Sequence, residues 1–146
     1  MQKILIIMFF ISTNVLASFT TLTTNEVLAK QTNGTIIIDV RRVDEYNKYG
    51  VIPGSHKLTF FDKNGKYNAK KWLADLEKIV PTKATEFILV CAHANRTKTI
   101  GKFLNSETAY KNIYELDGGI NYGWIDKGLA TTKIAAKSAK PWYQFW

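Results

Sequence analysis

Two apolar runs limit what this chain can fold into. Thr35-Ile36-Ile37-Ile38-Asp39-Val40 is β-branched at nearly every position, and Phe87-Ile88-Leu89-Val90 is apolar throughout. Neither alternates with polar residues, so a strand built from either has no face suited to water. Such strands belong in a sheet covered on both sides. The segments between them supply the cover. Residues 69–80 place Trp72, Leu73, Leu76, Ile79 and Val80 on one helical face, and Pro81 stops that helix. Residues 97–105 repeat the pattern with Ile100, Phe103 and Leu104. Shorter helices are expected from about Val27 to Asn33-Gly34, from Asp44 to Gly50, and around Trp124 as far as Gly128. Short strands are expected at Lys57-Leu58-Thr59 and at residues 112–116. Strands alternating with helices predict a parallel or mostly parallel α/β sheet, whose ligands bind beyond the carboxyl ends of its strands.

Cys91 lies at such an end. It is the single cysteine of the chain, and it opens the hexapeptide Cys91-Ala92-His93-Ala94-Asn95-Arg96 before the amphipathic segment that starts at Thr97. Strand, tight loop and helix in that order aim backbone N–H groups and a helix N-terminus at the thiol, which suits a sulfur anion. With no second cysteine an internal disulfide is impossible, and the thiol is left for chemistry as a candidate nucleophile.

The N-terminus reads as a targeting segment. Lys3 is followed by an apolar stretch from Ile4 to Ile11 and then Val15-Leu16-Ala17. This describes a secretory signal peptide over residues 1–17, cleaved after Ala17 or alternatively Ser18. The continuous apolar run is shorter than the ~20 residues of a membrane span. The expected domain then covers 18–132 and a Lys/Ala-rich tail covers 133–146, ending in Trp142-Tyr143-Gln144-Phe145-Trp146. Those aromatics are expected to cover an apolar edge of the domain itself, with a docking site as the alternative. Removing Lys3 takes the net charge from +8 to +7, and only three of the twenty basic residues are Arg. Scattered lysines give a soluble surface with some preference for anions. No clustered patch or recognised module points to nucleic acid.

Four segments together resemble the rhodanese (sulfurtransferase) family: Asp39-Val40-Arg41 with Glu45-Tyr46; Gly50-Val51-Ile52-Pro53-Gly54-Ser55; the loop from Cys91 to Arg96; and Leu116-Asp117-Gly118-Gly119-Ile120 with Trp124 beyond. The resemblance runs from about Thr20 to Ala130. It implies a single α/β domain with a five-stranded parallel sheet flanked by helices. It implies a secreted or periplasmic sulfurtransferase in which Cys91 takes a sulfane sulfur from a small sulfur-containing anion and carries it as a persulfide. The acceptor is a thiol or a cyanide-like nucleophile, either a small molecule or a protein. No cofactor is implied, and no stable membrane insertion after cleavage. Two positions depart from the family. Ala92 stands where a basic or other polar residue is usual, and Ala94 stands where Gly is common. Where that second position requires a positive φ, Ala stores about 1 kcal/mol or more.

Within the loop, Arg96 is expected to pin the turn by bonding carbonyls and also to attract an anionic donor. His93 either tunes the sulfur and moves a proton or simply faces solvent. Asn95 and Thr97 are expected to satisfy N–H groups of the loop and helix start. Asp39, Arg41 and Glu45 are expected to form a structural charge cluster, with Arg41 paired to Glu45. Gly118-Gly119 is expected to turn tightly beside the loop. Two separated histidines, His56 and His93, with one cysteine do not make a metal site.

Three other functions compete. A related phosphatase needs arginine six residues after the cysteine, where this chain has Thr97. A non-catalytic module would dock a secreted or membrane partner. Thiol exchange would require a partner thiol, because a single cysteine cannot resolve its own mixed disulfide.

Overall fold

The computed structural model describes residues 18–134. The expected signal peptide and residues 135–146, with their aromatic end, lie outside the described residues. Five strands form one sheet: β1 (Ser18–Leu22), β2 (Ile36–Asp39), β3 (His56–Lys57), β4 (Phe87–Val90) and β5 (Asn112–Leu116). Their order is β1-β5-β4-β2-β3, and every pairing is parallel. The helices are α1 (Thr24–Thr32), α2 (Val43–Tyr49), α3 (Ala69–Ile79) and α4 (Asn95–Glu107), with a π-helical turn at Asn121–Ile125.

The unalternating runs become the buried interior of this sheet, as their composition requires. Consecutive side chains of β4 point to opposite faces. Phe87 and Leu89 join Ile38, Val40 and Ile113 against Trp72 and Leu76 of α3 and Ile100 and Leu104 of α4. Ile88 and Val90 join Ile37 and Leu116 against Val27 of α1 and Trp124 of the π-helical turn. Cys91 continues the first set, so its side chain lies on the α3/α4 side. Each large apolar side chain buried this way is worth roughly 1.5–3 kcal/mol.

β1 lies where the hydrophobic pattern predicts no strand. Its residues Ser18-Phe19-Thr20-Thr21-Leu22 are half polar, because the strand lies at the edge of the sheet and pairs only with β5. Phe19 is what seats it. The ring lies directly on Gly101 of α4, where an added Cβ would overlap the ring carbon Cε2. α1 begins three residues before Val27, the start expected from sequence, and Thr23 caps it. Its hydroxyl accepts from the Glu26 N–H, and the Glu26 carboxylate accepts in turn from the Thr23 N–H at 2.8 Å.

The expected pairing of Arg41 with Glu45 does not form. Arg41 is fully buried and binds Asp39 instead, with Nη2 at 2.7 Å from Oδ2 and Nε at 2.9 Å from Oδ1. A second contact from Nη2 reaches the Gly50 carbonyl at 2.6 Å. Arg41 sits in the bend just past the end of β2, where its backbone N–H also donates to Asp39 Oδ1 at 3.1 Å, and the guanidinium fork closes on the same carboxylate. Glu45 is thereby left for another partner. Lys133 and Ile134, placed in the tail by the sequence reading, fold back here. Lys133 donates from Nζ to the Asn47 carbonyl at 2.7 Å.

Gly101→Val should collide with Phe19 and loosen β1. The expected loss is about 1–3 kcal/mol, the usual range for overpacking. Thermal denaturation measures it, and an unchanged melting temperature would show that β1 is not held through this contact.

Candidate active site at the Cys91 loop

β4 delivers Cys91 to the centre of the sheet's carboxyl edge, with the end of β2 on one side and that of β5 on the other. The side chain is 1% exposed. The backbone turns sharply behind it. Ala94 adopts φ 60° and ψ 12°, the left-handed region, and among the described residues no other non-glycine has a positive φ. This is the strain anticipated for Ala at this position. α4 therefore begins at Asn95, two residues earlier than its apolar stripe suggested, and Ala94 caps it without a side-chain bond. Among the described residues the N–H groups of Ala92, His93 and Ala94 have no acceptor. Left-handed residues followed by a helix are the kind of backbone that gathers free amides around an anion.

Two elements hold the loop from outside. Ile120 N–H donates to the Cys91 carbonyl at 2.8 Å, and Asn121 N–H donates to the Ala92 carbonyl at 3.1 Å. This close docking requires the glycine turn expected at Gly118-Gly119. Gly119 has φ 63°, and a Cβ there would sit 2.5 Å from the Cys91 carbonyl oxygen. On the other side Arg96 reaches to α2. Its Nη1 and Nη2 donate to Oε2 and Oε1 of Glu45 at 2.7 and 2.6 Å. Glu45 Oε2 also accepts from the Arg42 N–H at 3.1 Å, so one carboxylate ties the start of α2 to the loop. Arg96 thus pins the loop through a carboxylate, not through carbonyls as expected from sequence.

The charges of this clamp reinforce one another. Burial works against the ionised Glu45 carboxyl, but the hydrogen bonds from Arg96 and from the Arg42 backbone outweigh it and hold Glu45 below its ordinary value. The Arg96 guanidinium is pushed up, first by its hydrogen bonds to Glu45, against some desolvation, and further by the nearby Cys91 sulfur. Arg96 also lines an open groove of about 380 Å³ together with Arg42, Lys63, Asn95 and Phe61. A slightly larger hollow of about 420 Å³ lies under Thr23, Asn25, Leu28 and Lys127, and Cys91 lines neither of the two.

A family model for the rhodanese-like domain matches residues 23–126. This chain belongs to that family. Solved structures agree in fold. A thiosulfate sulfurtransferase from Pseudomonas aeruginosa aligns with a TM-score of 0.62 and 21% identity over 84% of this chain and 22% of its own. A rhodanese-like domain protein from Staphylococcus aureus aligns at 0.55 and 19% identity over 82% and 99%. RPA3614 from Rhodopseudomonas palustris, a protein of unknown function described as a possible tyrosine phosphatase, aligns at 0.54 and 24% identity over 77% and 84%. Among curated protein sequences none matches.

Within this rhodanese-like domain the loop residues named from sequence have separate placements. Ala92 and Ala94 are buried in the turn, and Asn95 is exposed at the groove. His93 is exposed. Its Nε2 lies 2.9 Å from Asn121 Nδ2, and its ring packs 4.9 Å from that of Tyr122. His56 is exposed on β3, away from the loop. Thr97 does not bond a helix N–H. Its hydroxyl lies 3.7 Å from the Cys91 sulfur and donates to Glu115 at 2.6 Å. Glu115 went unremarked in the sequence, although an acidic residue inside a doubly covered strand is itself a signal. Among the described residues no group of three or more His, Cys, Asp or Glu could hold a metal ion, and no helix is long and apolar enough to cross a membrane.

Ala94→Gly should relax the turn and raise stability by about 1 kcal/mol in chemical denaturation. A loss of stability would mean that the loop draws no strain from Ala94. The clamp makes a separate prediction. Because the folded Glu45 value lies below the ordinary 4.5, its contribution is present at neutral pH and fades as pH falls through the folded value. The gap in urea midpoint between wild type and Glu45→Gln should therefore be widest near pH 7 and narrow as pH falls through and below the ordinary carboxylate range. A gap that stays constant with pH would show the clamp is not electrostatic.

Proposed function

We propose that this rhodanese-like domain is a thiol sulfurtransferase that moves a sulfane sulfur through a persulfide on Cys91. The observation that carries the reading is the loop around Cys91: a thiol at a strand end, backed by unoccupied amides and by the N-terminus of α4. The Cys91 thiolate attacks the outer sulfur of an anion such as thiosulfate. A new S–S bond forms, the donor's own S–S bond breaks, and sulfite leaves with its electron pair. The free amides then face a persulfide anion, whose charge they stabilise. A thiolate or cyanide attacks the outer sulfur and releases Cys91 as thiolate. Lys63, on the groove that Arg42 and Arg96 also line, draws the anionic donor toward the loop, while Arg96 holds the loop in place through Glu45. Signal cleavage near Ala17 would place this activity in the periplasm or outside the cell.

A phosphatase reading fits less well. Phosphate needs a free guanidinium fork above the sulfur, and the Arg96 fork is occupied by both Glu45 oxygens.

Intact mass before and after thiosulfate or polysulfide tests the proposal. The expected result is a gain of one sulfur atom (~32 Da), reversed by reductant and absent in Cys91→Ser. No gain, with Cys91 shown open to alkylation, would refute sulfur transfer and favour a docking module.

A further inference from the structure

Glu115 is an expensive residue to bury. It is the fourth of the five residues of β5 and has no exposed surface. Among the described residues no cation pairs with it. Arg96, the guanidinium next to the loop, is committed to Glu45. An apolar residue at this position would serve the sheet better than an unpaired carboxylate. The carboxylate is instead satisfied by two hydroxyls. Thr21 donates to Oε1 at 2.8 Å and Thr97 donates to Oε2 at 2.6 Å.

The register explains why this carboxylate is near Cys91. Glu115 pairs with Thr21 on one side and with Leu89 on the other, and Cys91 follows Leu89 by two residues on the same face. Thr97, on the first turns of α4, bridges the remaining gap. Its single proton points to Glu115, so in the 3.7 Å contact with Cys91 the thiol is the donor and the Thr97 oxygen accepts. Two links in series therefore run from the sulfur through a hydroxyl to a buried base.

We propose that Glu115 is a positioning residue for Cys91 that acts through Thr97, taking up the thiol proton as the sulfur becomes anionic and returning it after discharge. This rests on the sulfurtransferase reading. The thiol proton passes to Thr97 Oγ1 while the Thr97 proton passes to Glu115 Oε2. No bond other than these O–H and S–H bonds changes, and one negative charge moves from carboxylate to sulfur. The buried site thus holds one charge throughout, rather than two. With Glu115 protonated it donates to Thr97, and Thr97 donates to the Cys91 sulfur, in thiolate and persulfide alike. When the acceptor removes the outer sulfur, the thiolate recovers its proton by the reverse path.

The sign of one substitution separates this role from a fixed charge. A permanently ionised Glu115 would repel a thiolate, and Glu115→Gln would speed alkylation of Cys91 by iodoacetamide. Proton uptake requires the opposite. Glu115→Gln and Thr97→Val should each slow alkylation at neutral pH by about a hundredfold, while Thr97→Ser retains the wild-type rate. Infrared difference spectra of sulfur-loaded minus unloaded wild type should gain a protonated-carboxyl band that Glu115→Gln lacks. Faster alkylation of Glu115→Gln, equal rates for Thr97→Val and Thr97→Ser, or a loaded protein without the carboxyl band would each overturn the proposal. Should Glu115→Gln fail to fold, the Thr97 pair and the wild-type spectrum decide. The expected alkylation pattern in a protein that takes up no sulfur would uphold the proton path and remove the sulfurtransferase reading.

Discussion

Burial of β4 on both faces governs where everything else can sit. Phe87, Ile88, Leu89 and Val90 are shielded from water by helices above and below, so each neighbouring strand must return to the same edge through a covering segment. In a parallel sheet this brings the ends of β2, β4 and β5 together at one side. The loop at Cys91, the Asp39–Arg41 pair and the Gly118-Gly119 turn are neighbours for that reason alone. None is close to the others in sequence.

The strain and the clamp are two sides of the same arrangement. A turn with Ala94 in the left-handed region relaxes unless its surroundings hold it. Here the Ile120 and Asn121 amides grip one end and the Glu45 carboxylate grips the other. The Asp39–Arg41 pair lies deeper and serves a different purpose. It fixes the exit from β2, just before α2 starts, and holds the Gly50 carbonyl just past the end of α2.

Hydrophobic pattern made the central strands, α3 and α4 legible, because burial on both faces or along one stripe leaves a periodic trace. The thiol's place at a strand end followed from the same pattern. What stayed hidden depends on partners distant in sequence. β1 carries Ser and Thr on three of five positions, so only its pairing with β5 makes it a strand. Arg41 had two acidic candidates within reach, and the bend after β2 turned both its backbone N–H and its guanidinium to Asp39, not Glu45. Arg96 found Glu45 across the fold, fifty-one residues away. The roles of Thr97 and Glu115 could be read only once β4, β5 and α4 were in register.

The edge pairing of β1 has a consequence for the order of folding. Thr21 and Glu115 are separated by 94 residues, so the loop closed by their contact is nearly the length of the domain. Closing so long a loop is slow relative to forming the local helix–strand units between its ends. The inner strands and α4 can assemble while β1 is still unattached, leaving β5 with an open edge and the Glu115 carboxylate in contact with water. Docking of β1 is then the event that dries this corner of the protein, and the surroundings of Cys91 reach their final polarity only when β1 joins β5.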